Sequence, residues 1–193
     1  MINLRLITVI IKNKIESMNK INELGLNKFS EQLFKKYETD KIIEFMERYS
    51  ARYYAIRDKS KSCGVFKLKV DYNKVLDEIG DYNLFSINVS SANYIDNQLL
   101  VGEIEFLSNN EVYAILSINP NASVRDAISN PTFNIKTNIF DDAVINKIPH
   151  FNIIYNYIIE HGLKDVIVEF ALFDKEIGIK KEKVIVYELR THY

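Results

Sequence analysis

Residues 166–193, VIVEFALFDKEIGIKKEKVIVYELRTHY, constrain the chain more than any other stretch. Two runs rich in β-branched residues, 166–173 and 184–189, flank a polar connection that contains Gly178. Branched side chains are stiff at χ1 and suit a pleated surface, so the two runs are read as the strands of a closing hairpin. Glu169 interrupts the first run between Val168 and Phe170. A carboxylate buried without compensation is costly, so Glu169 needs a partner, a metal or a ligand. On the second strand, period two puts Val184, Val186, Glu188 and Arg190 on one face. Two readings of this constellation stand. One is an ordinary salt bridge of Glu169 or Glu188 with Arg190. The other is a site in which two carboxylates from adjacent strands offer hard oxygen ligands to Mg²⁺ and the guanidinium offers a two-pronged donor to phosphate.

The preceding chain mixes helices and strands. Ile15, Met18, Ile21 and Leu24 recur at helical spacing and Gly25 suits a C-terminal cap. Phe29, Leu33, Phe34 and Tyr37 predict a second helix from Asn27, and Ile42, Ile43, Phe45, Met46 and Tyr49 a third from Thr39 or Asp40. Residues 4–11 suit a strand or a helix start. Beyond residue 50, strands are expected at 53–56, 65–70, 84–89, 99–107, 112–118 and 133–137. Helices are expected over 71–79 and 149–160, with Asn109 and Asn110 turning a hairpin. The pattern predicts an α+β fold with a largely antiparallel sheet. It consists of a mainly helical segment, 1–50, and an α+β body, 51–193, within one domain or one domain with a small appendage.

Composition removes several functions. Lys and Arg number 25 against 26 Asp and Glu, a net charge of −1, so the basic excess typical of a nucleic-acid binder is missing and no nucleic-acid partner is expected. The single Cys63 rules out an internal disulfide framework and a multi-cysteine metal cluster. The opening run MINLRLITVII is too short to cross a bilayer and carries no export signature, so a cytoplasmic protein without a membrane partner is expected. Six glycines, with neither G-x-G-x-x-G nor G-x-x-x-x-G-K-[ST], exclude a glycine-dense phosphate cradle.

The second informative stretch is residues 53–79, YYAIRDKSKSCGVFKLKVDYNKVLDEI. A strand ends in Arg57. A polar loop with Lys59, Ser60, Lys61, Ser62 and Gly64 follows, and then a strand with Lys67 and Lys69. Strand, loop and strand can lay cations and backbone N–H groups over a polyphosphate. The alternative is an exposed hairpin with solvated lysines. Elsewhere, Ser123, Arg125 and Asp126 are read as a turn with a local Asp–Arg pair. Glu103 and Glu105 are read as a solvated strand face, with Glu105 a possible site member.

Taken together, residues 53–79 and 166–193 resemble the ATP-grasp superfamily. Its nucleotide-binding unit has a strand with a basic residue, a small loop over the phosphates, a strand and a helix, and closes with paired strands whose acidic residues hold Mg²⁺. The Arg-led first strand and the closing Glu188-x-Arg190 look most like the phosphoenolpyruvate synthase and pyruvate phosphate dikinase branch. The resemblance implies a nucleotide partner with ATP and Mg²⁺ as cofactors. It places Arg57, Lys59, Ser60 and Gly64 at the phosphates, Glu169 and Glu188 at the metal, and Arg190 as the catalytic residue stabilising the transferring phosphoryl group. The expected chemistry is phosphoryl transfer or ATP-dependent ligation to an unknown acceptor. The alternative is a non-catalytic ligand- or partner-binding module on the same scaffold. The N-terminal helices are its expected surface for a protein partner or a second copy.

Overall fold

The computed structural model describes residues 11–60 and 66–191. Along the chain they form α1 (Lys14–Glu23), β1 (Glu31–Lys35), α2 (Thr39–Tyr49), β2 (Tyr53–Asp58), β3 (Phe66–Asp71), α3 (Val75–Ile79), β4 (Leu84–Val89), β5 (Gln98–Phe106), β6 (Glu111–Ser117), α4 (Val124–Ser129), β7 (Phe133–Asn138), α5 (Asp142–Ile145), α6 (Phe151–Glu160), β8 (Ile167–Ile177) and β9 (Glu182–Arg190). The fold is α+β, with two antiparallel sheets and flanking helices. One sheet has the order β1-β4-β2-β3 and the other β7-β6-β5-β8-β9. The chain divides into two compact units, Phe29–Ile95 and Met1–Lys28 with Asp96–Tyr193. No described helix is long and apolar enough to cross a membrane. Of the element read over 4–11, only Ile11 lies among the described residues.

The unit Phe29–Ile95 corrects one expectation. The helix predicted over 27–37 is replaced by β1, which pairs antiparallel with β4 from Glu31 opposite Asn88 to Lys35 opposite Leu84. Phe34 is buried against Phe45 and Phe85, with ring centres 5.7 and 6.1 Å away. A helix would have had to bury Tyr37 on the same face, but Tyr37 is 79% exposed. The spacing of four aromatic and aliphatic residues was thus compatible with a helix, and pairing with a strand fifty residues away decided otherwise. In α2 the expected helix forms and buries Ile42, Phe45 and Met46, while Ile43 and Tyr49 of the expected face are exposed. Tyr54, Ile56, Phe85 and Ile87 of β2 and β4 complete this core.

The larger unit buries one face of its five-stranded sheet against α6. Leu100 and Ile104 of β5, Ala114 and Leu116 of β6, Phe170 and Leu172 of β8, and Val184 and Val186 of β9 pack with Ile154 and Ile158. Each such Leu, Ile, Val or Phe side chain contributes ~1.5–3 kcal/mol when fully buried, which makes this face the main driving force of the unit. Gly102 lies in the middle of β5, and a Cβ there would overlap the Ile115 carbonyl of β6. Its close approach is to the neighbouring strand of its own sheet. The stretch from Ser123 is also corrected. It is the capping box of α4, in which Ser123 Oγ accepts from the Asp126 N–H and the Asp126 carboxylate accepts from the Ser123 N–H.

Asn27 ties the entry of this unit to its last hairpin. It is fully buried, its amide nitrogen donates to the carbonyls of Ile177 and Val184, and its amide oxygen accepts from the Lys180 N–H. The Val186 N–H donates to its backbone carbonyl, and its own N–H donates to the Tyr157 hydroxyl. Helix α1 then runs along β9, the outermost of the described strands on that side of the sheet. There Ser17 Oγ, itself buried, accepts the Leu189 N–H at 2.7 Å. A sheet edge carries unpaired N–H groups, and Ser17 satisfies one of them.

Candidate functional site

Strands β5, β8 and β9 are neighbours, and their register aligns three carboxylates. Glu103 of β5 is opposite Glu169 of β8, which is opposite Glu188 of β9. Period two along β9 predicted Glu188 on the face of Val184 and Val186. The structure corrects this. Phe170 pairs with Val186 while Glu169 pairs with Glu188, so β9 carries one extra residue, Tyr187, at a bulge. A bulge reverses the alternation beyond it. Glu188 and Arg190 therefore point away from the apolar core, to the face that also carries Glu103 and Glu169.

This row is electrostatically strained. Like charges directly opposite on adjacent strands oppose pairing. Two carboxylates about 5 Å apart repel by ~3 kcal/mol at an effective dielectric of about 20. The described cations answer this from two sides. Arg190 pairs with Glu103 through Nη2 and reaches Glu169 at 3.3 Å. Lys14, the first residue of α1, reaches Glu188 at 2.7 Å. Glu188 is only 8% exposed. The Glu169 carboxyl is nevertheless pushed up to about 7. Burial is the main cause and the Glu188 charge the second, and both outweigh Arg190 and Lys14. Arg190 retains one unsatisfied donor, since its Nε–H is buried and makes no hydrogen bond.

The salt bridge expected for Arg190 is present with Glu169, and Glu103 joins it. The solvated-face reading of Glu103 and Glu105 is overturned: Glu105 is 5% exposed and Glu103 is half-buried in an ion pair. Sequence reasoning missed Glu103 and Lys14. The signal for Glu103 was Val101, whose apolar side chain two residues earlier marks that face of β5 as buried. Lys14 left no signal, because its pairing spans 174 positions.

The other predicted residues lie in the unit Phe29–Ile95. Arg57 sits on β2 opposite Ser86 of β4, with its guanidinium 4.3 Å from the centre of the Phe66 ring. The Lys59 side chain is 5% exposed, and its ammonium is 3.6 Å from Glu31. Ser60 donates from both its N–H and its hydroxyl to Asp58 Oδ1. Lys61, Ser62, Cys63 and Gly64 lie outside the described residues. The structure therefore gathers Glu169, Glu188 and Arg190 at one place, and Arg57, Lys59 and Ser60 around the end of β2.

Among the described residues no set of three or more His, Cys, Asp or Glu side chains converges closely enough to hold a metal ion alone. Mg²⁺ does not require such a cage, since it is commonly held by one or two carboxylates together with phosphate oxygens and water. The facing pair Glu169 and Glu188, with side chains 19% and 10% exposed, fits that mode of binding. The orphaned Arg190 Nε–H fits an acceptor oxygen beside it.

No family model and no curated protein matches the sequence. Among solved structures, the chain is similar to an N5-carboxyaminoimidazole synthase from Aspergillus clavatus in complex with ADP and 5-aminoimidazole ribonucleotide. The identity is 11% and the TM-score 0.49, over 93% of this chain and 44% of that one. A D-alanyl-alanine synthetase A from Vibrio cholerae aligns at 10% identity and a TM-score of 0.48, over 93% of this chain and 55% of that one. For a D-alanine-D-alanine ligase from Coxiella burnetii the values are 10% and 0.43, over 93% and 47%. The chain thus spans about half the length of the structures it matches.

Proposed function

We propose that the protein binds ATP with Mg²⁺ and serves an ATP-dependent, ligase-like or phosphoryl-transfer reaction. The observation that carries the proposal is the aligned row Glu103, Glu169 and Glu188, largely withdrawn from solvent and bordered by Arg190 and Lys14, with the Glu169 carboxyl pushed up chiefly by burial. It rests on this row and on the resemblance of residues 53–79 and 166–193 to the ATP-grasp superfamily. The likeness to the three ligases above does not carry it. It is made for the superfamily and not for the phosphoenolpyruvate synthase branch, for which only the Arg-led first strand and the Glu188-x-Arg190 spacing speak.

In this reading Glu169 and Glu188 hold the metal, which would supply positive charge against the phosphate oxygens. Glu103 keeps Arg190 oriented, because a guanidinium anchored through one nitrogen loses less freedom when it meets an anion. Arg190 then places fixed positive charge where charge develops in the transferring phosphoryl group. Arg57 and Lys59 are assigned to the phosphates, with Ser60 and Gly64 beside them. Lys59 has to leave Glu31 or share its charge to reach a ligand.

A second reading has a specific observation behind it. Lys14 and Arg190 already engage all three carboxylates, which suits a closed ion-pair network on a non-catalytic binding module. A thermal-shift titration separates the two. Ligand at 100 times its dissociation constant adds about 2.7 kcal/mol of apparent stability. The proposal expects such a shift with ATP that grows when Mg²⁺ is present, and loss of the Mg²⁺-dependent part in Glu188→Gln. No shift at millimolar Mg-ATP gives the second reading the field.

A further inference from the structure

Lys14 is the first residue of α1, and its ammonium lies 2.7 Å from Glu188, one of the two carboxylates assigned above to the metal. The lysine is held there by more than its own charge. Asn13 caps the helix by accepting the N–H groups of Ile15 and Glu16. Ser17, one turn on, accepts the Leu189 N–H of β9. Before the helix, the Ile11 N–H donates to the Thr191 hydroxyl just after β9. The first turn of α1 is therefore pinned to the strand on both sides of Lys14, and the side chain is delivered to Glu188 by backbone geometry.

The two ends of the pair differ in exposure. The Lys14 side chain is 46% exposed and that of Glu188 is 10% exposed. Glu188 is thus the fixed, desolvated member, and Lys14 is the member that can swing into water at little cost. Lysine is a compact point charge on a flexible stem, so it fills a cation position without the two-pronged commitment of arginine. A divalent cation carries twice the charge to the same oxygen.

We propose that Lys14 is the internal counter-ion of the site, occupying Glu188 until a divalent cation displaces it. The inference rests on the metal reading of Glu188 given above. Its consequence is that metal entry releases a side chain of α1. The occupancy of the site is then coupled to the helix that runs along β9. Lys14 acts here as a positioning and gating residue, and it needs no contact with the reacting atoms.

The test uses the full chain with Mn²⁺ as an electron-paramagnetic probe, without nucleotide. Lys14→Met is expected to bind Mn²⁺ about fivefold more tightly than wild type, the factor that corresponds to an exposed-side ion pair of ~1 kcal/mol. Lys14→Arg, which keeps the charge, restores affinity to near the wild-type value. Adding Glu188→Gln to Lys14→Met removes the gain. A second readout follows the wild-type lysine itself. Acetylation of Lys14, located by mass spectrometry, accelerates on saturation with Mg²⁺ while acetylation of Lys20, paired with Glu23, does not change. If wild type and Lys14→Met bind Mn²⁺ equally, or if Lys14 labelling is indifferent to Mg²⁺ that does bind, Lys14 is no counter-ion and the metal reading survives. If no variant binds Mn²⁺ without nucleotide, this inference fails, and the metal reading is then decided separately by the Mg-ATP titration above.

Discussion

The two regions from which the candidate residues come handle charge in opposite ways. In the five-stranded sheet, register alone forces Glu103, Glu169 and Glu188 into a line, and repulsion there is relieved only in part. At the end of β2, each charged group has a close neighbour of its own. Arg57 lies over Phe66, Lys59 faces Glu31, and Asp58 is bonded by Ser60. The first region stores unfavourable electrostatics that a ligand can relieve. The second holds groups that a ligand must draw away from existing partners. Strain of this kind is a stronger pointer to function than the mere presence of basic residues.

The largest expected difference is in pH dependence. The folded chain holds the Glu169 proton up to about pH 7, against an ordinary value of 4.5. The native state therefore binds more protons than the unfolded state between these values. Stability from this group is complete below about pH 4.5 and is lost as pH rises through about 7, by an amount on the order of 3 kcal/mol. Urea unfolding of wild type and Glu169→Gln across this range measures it, and the variant is expected to lack the slope. Equal slopes would mean that Glu169 ionises normally and the row is not strained.

Next comes a pair of arginine substitutions. Arg190→Met leaves Glu103 and Glu169 without their shared cation and is expected to cost about 2 kcal/mol, half exposure of the guanidinium reducing the full penalty of a broken buried pair. In a chain of this size that lowers the melting temperature by roughly 4–8 °C. Arg57→Met removes a cation–π contact and is expected to cost only ~0.5–1 kcal/mol. Comparable losses at the two positions would erase the contrast between the regions.

A similarly small structural effect is expected at Lys59, where binding is the sharper readout. Loss of its contact with Glu31 in Lys59→Met costs about 1 kcal/mol, while Mg-ATP affinity measured by calorimetry falls about tenfold if the ammonium is recruited to phosphate. A stability loss with unchanged affinity would restrict Lys59 to a structural role.

How far the sequence led is clearest at particular residues. The strand Leu84–Val89 and the helix from Thr39 were legible because their periods were long and unambiguous. The stretch 31–35 was not, because Phe29, Leu33 and Phe34 fit a helix and only pairing with β4 makes a strand of them. Glu169 announced itself by breaking an apolar run. Glu188 and Arg190 were chosen for their chemistry, but their face was misassigned because a bulge at Tyr187 leaves no trace in local alternation. Glu103 and Lys14 meet the site only through register and long-range packing, which no local pattern encodes.

The central claim is that the row on β5, β8 and β9 receives the metal of a bound nucleotide. The most direct measurement is the paramagnetic broadening of backbone amide resonances by Mn-ATP in an isotopically labelled sample of the full chain. The account predicts strongest broadening at Glu103, Glu169 and Glu188, and its loss when Mg-ATP is added in excess. Broadening centred elsewhere, or none at saturating Mn-ATP, would contradict it.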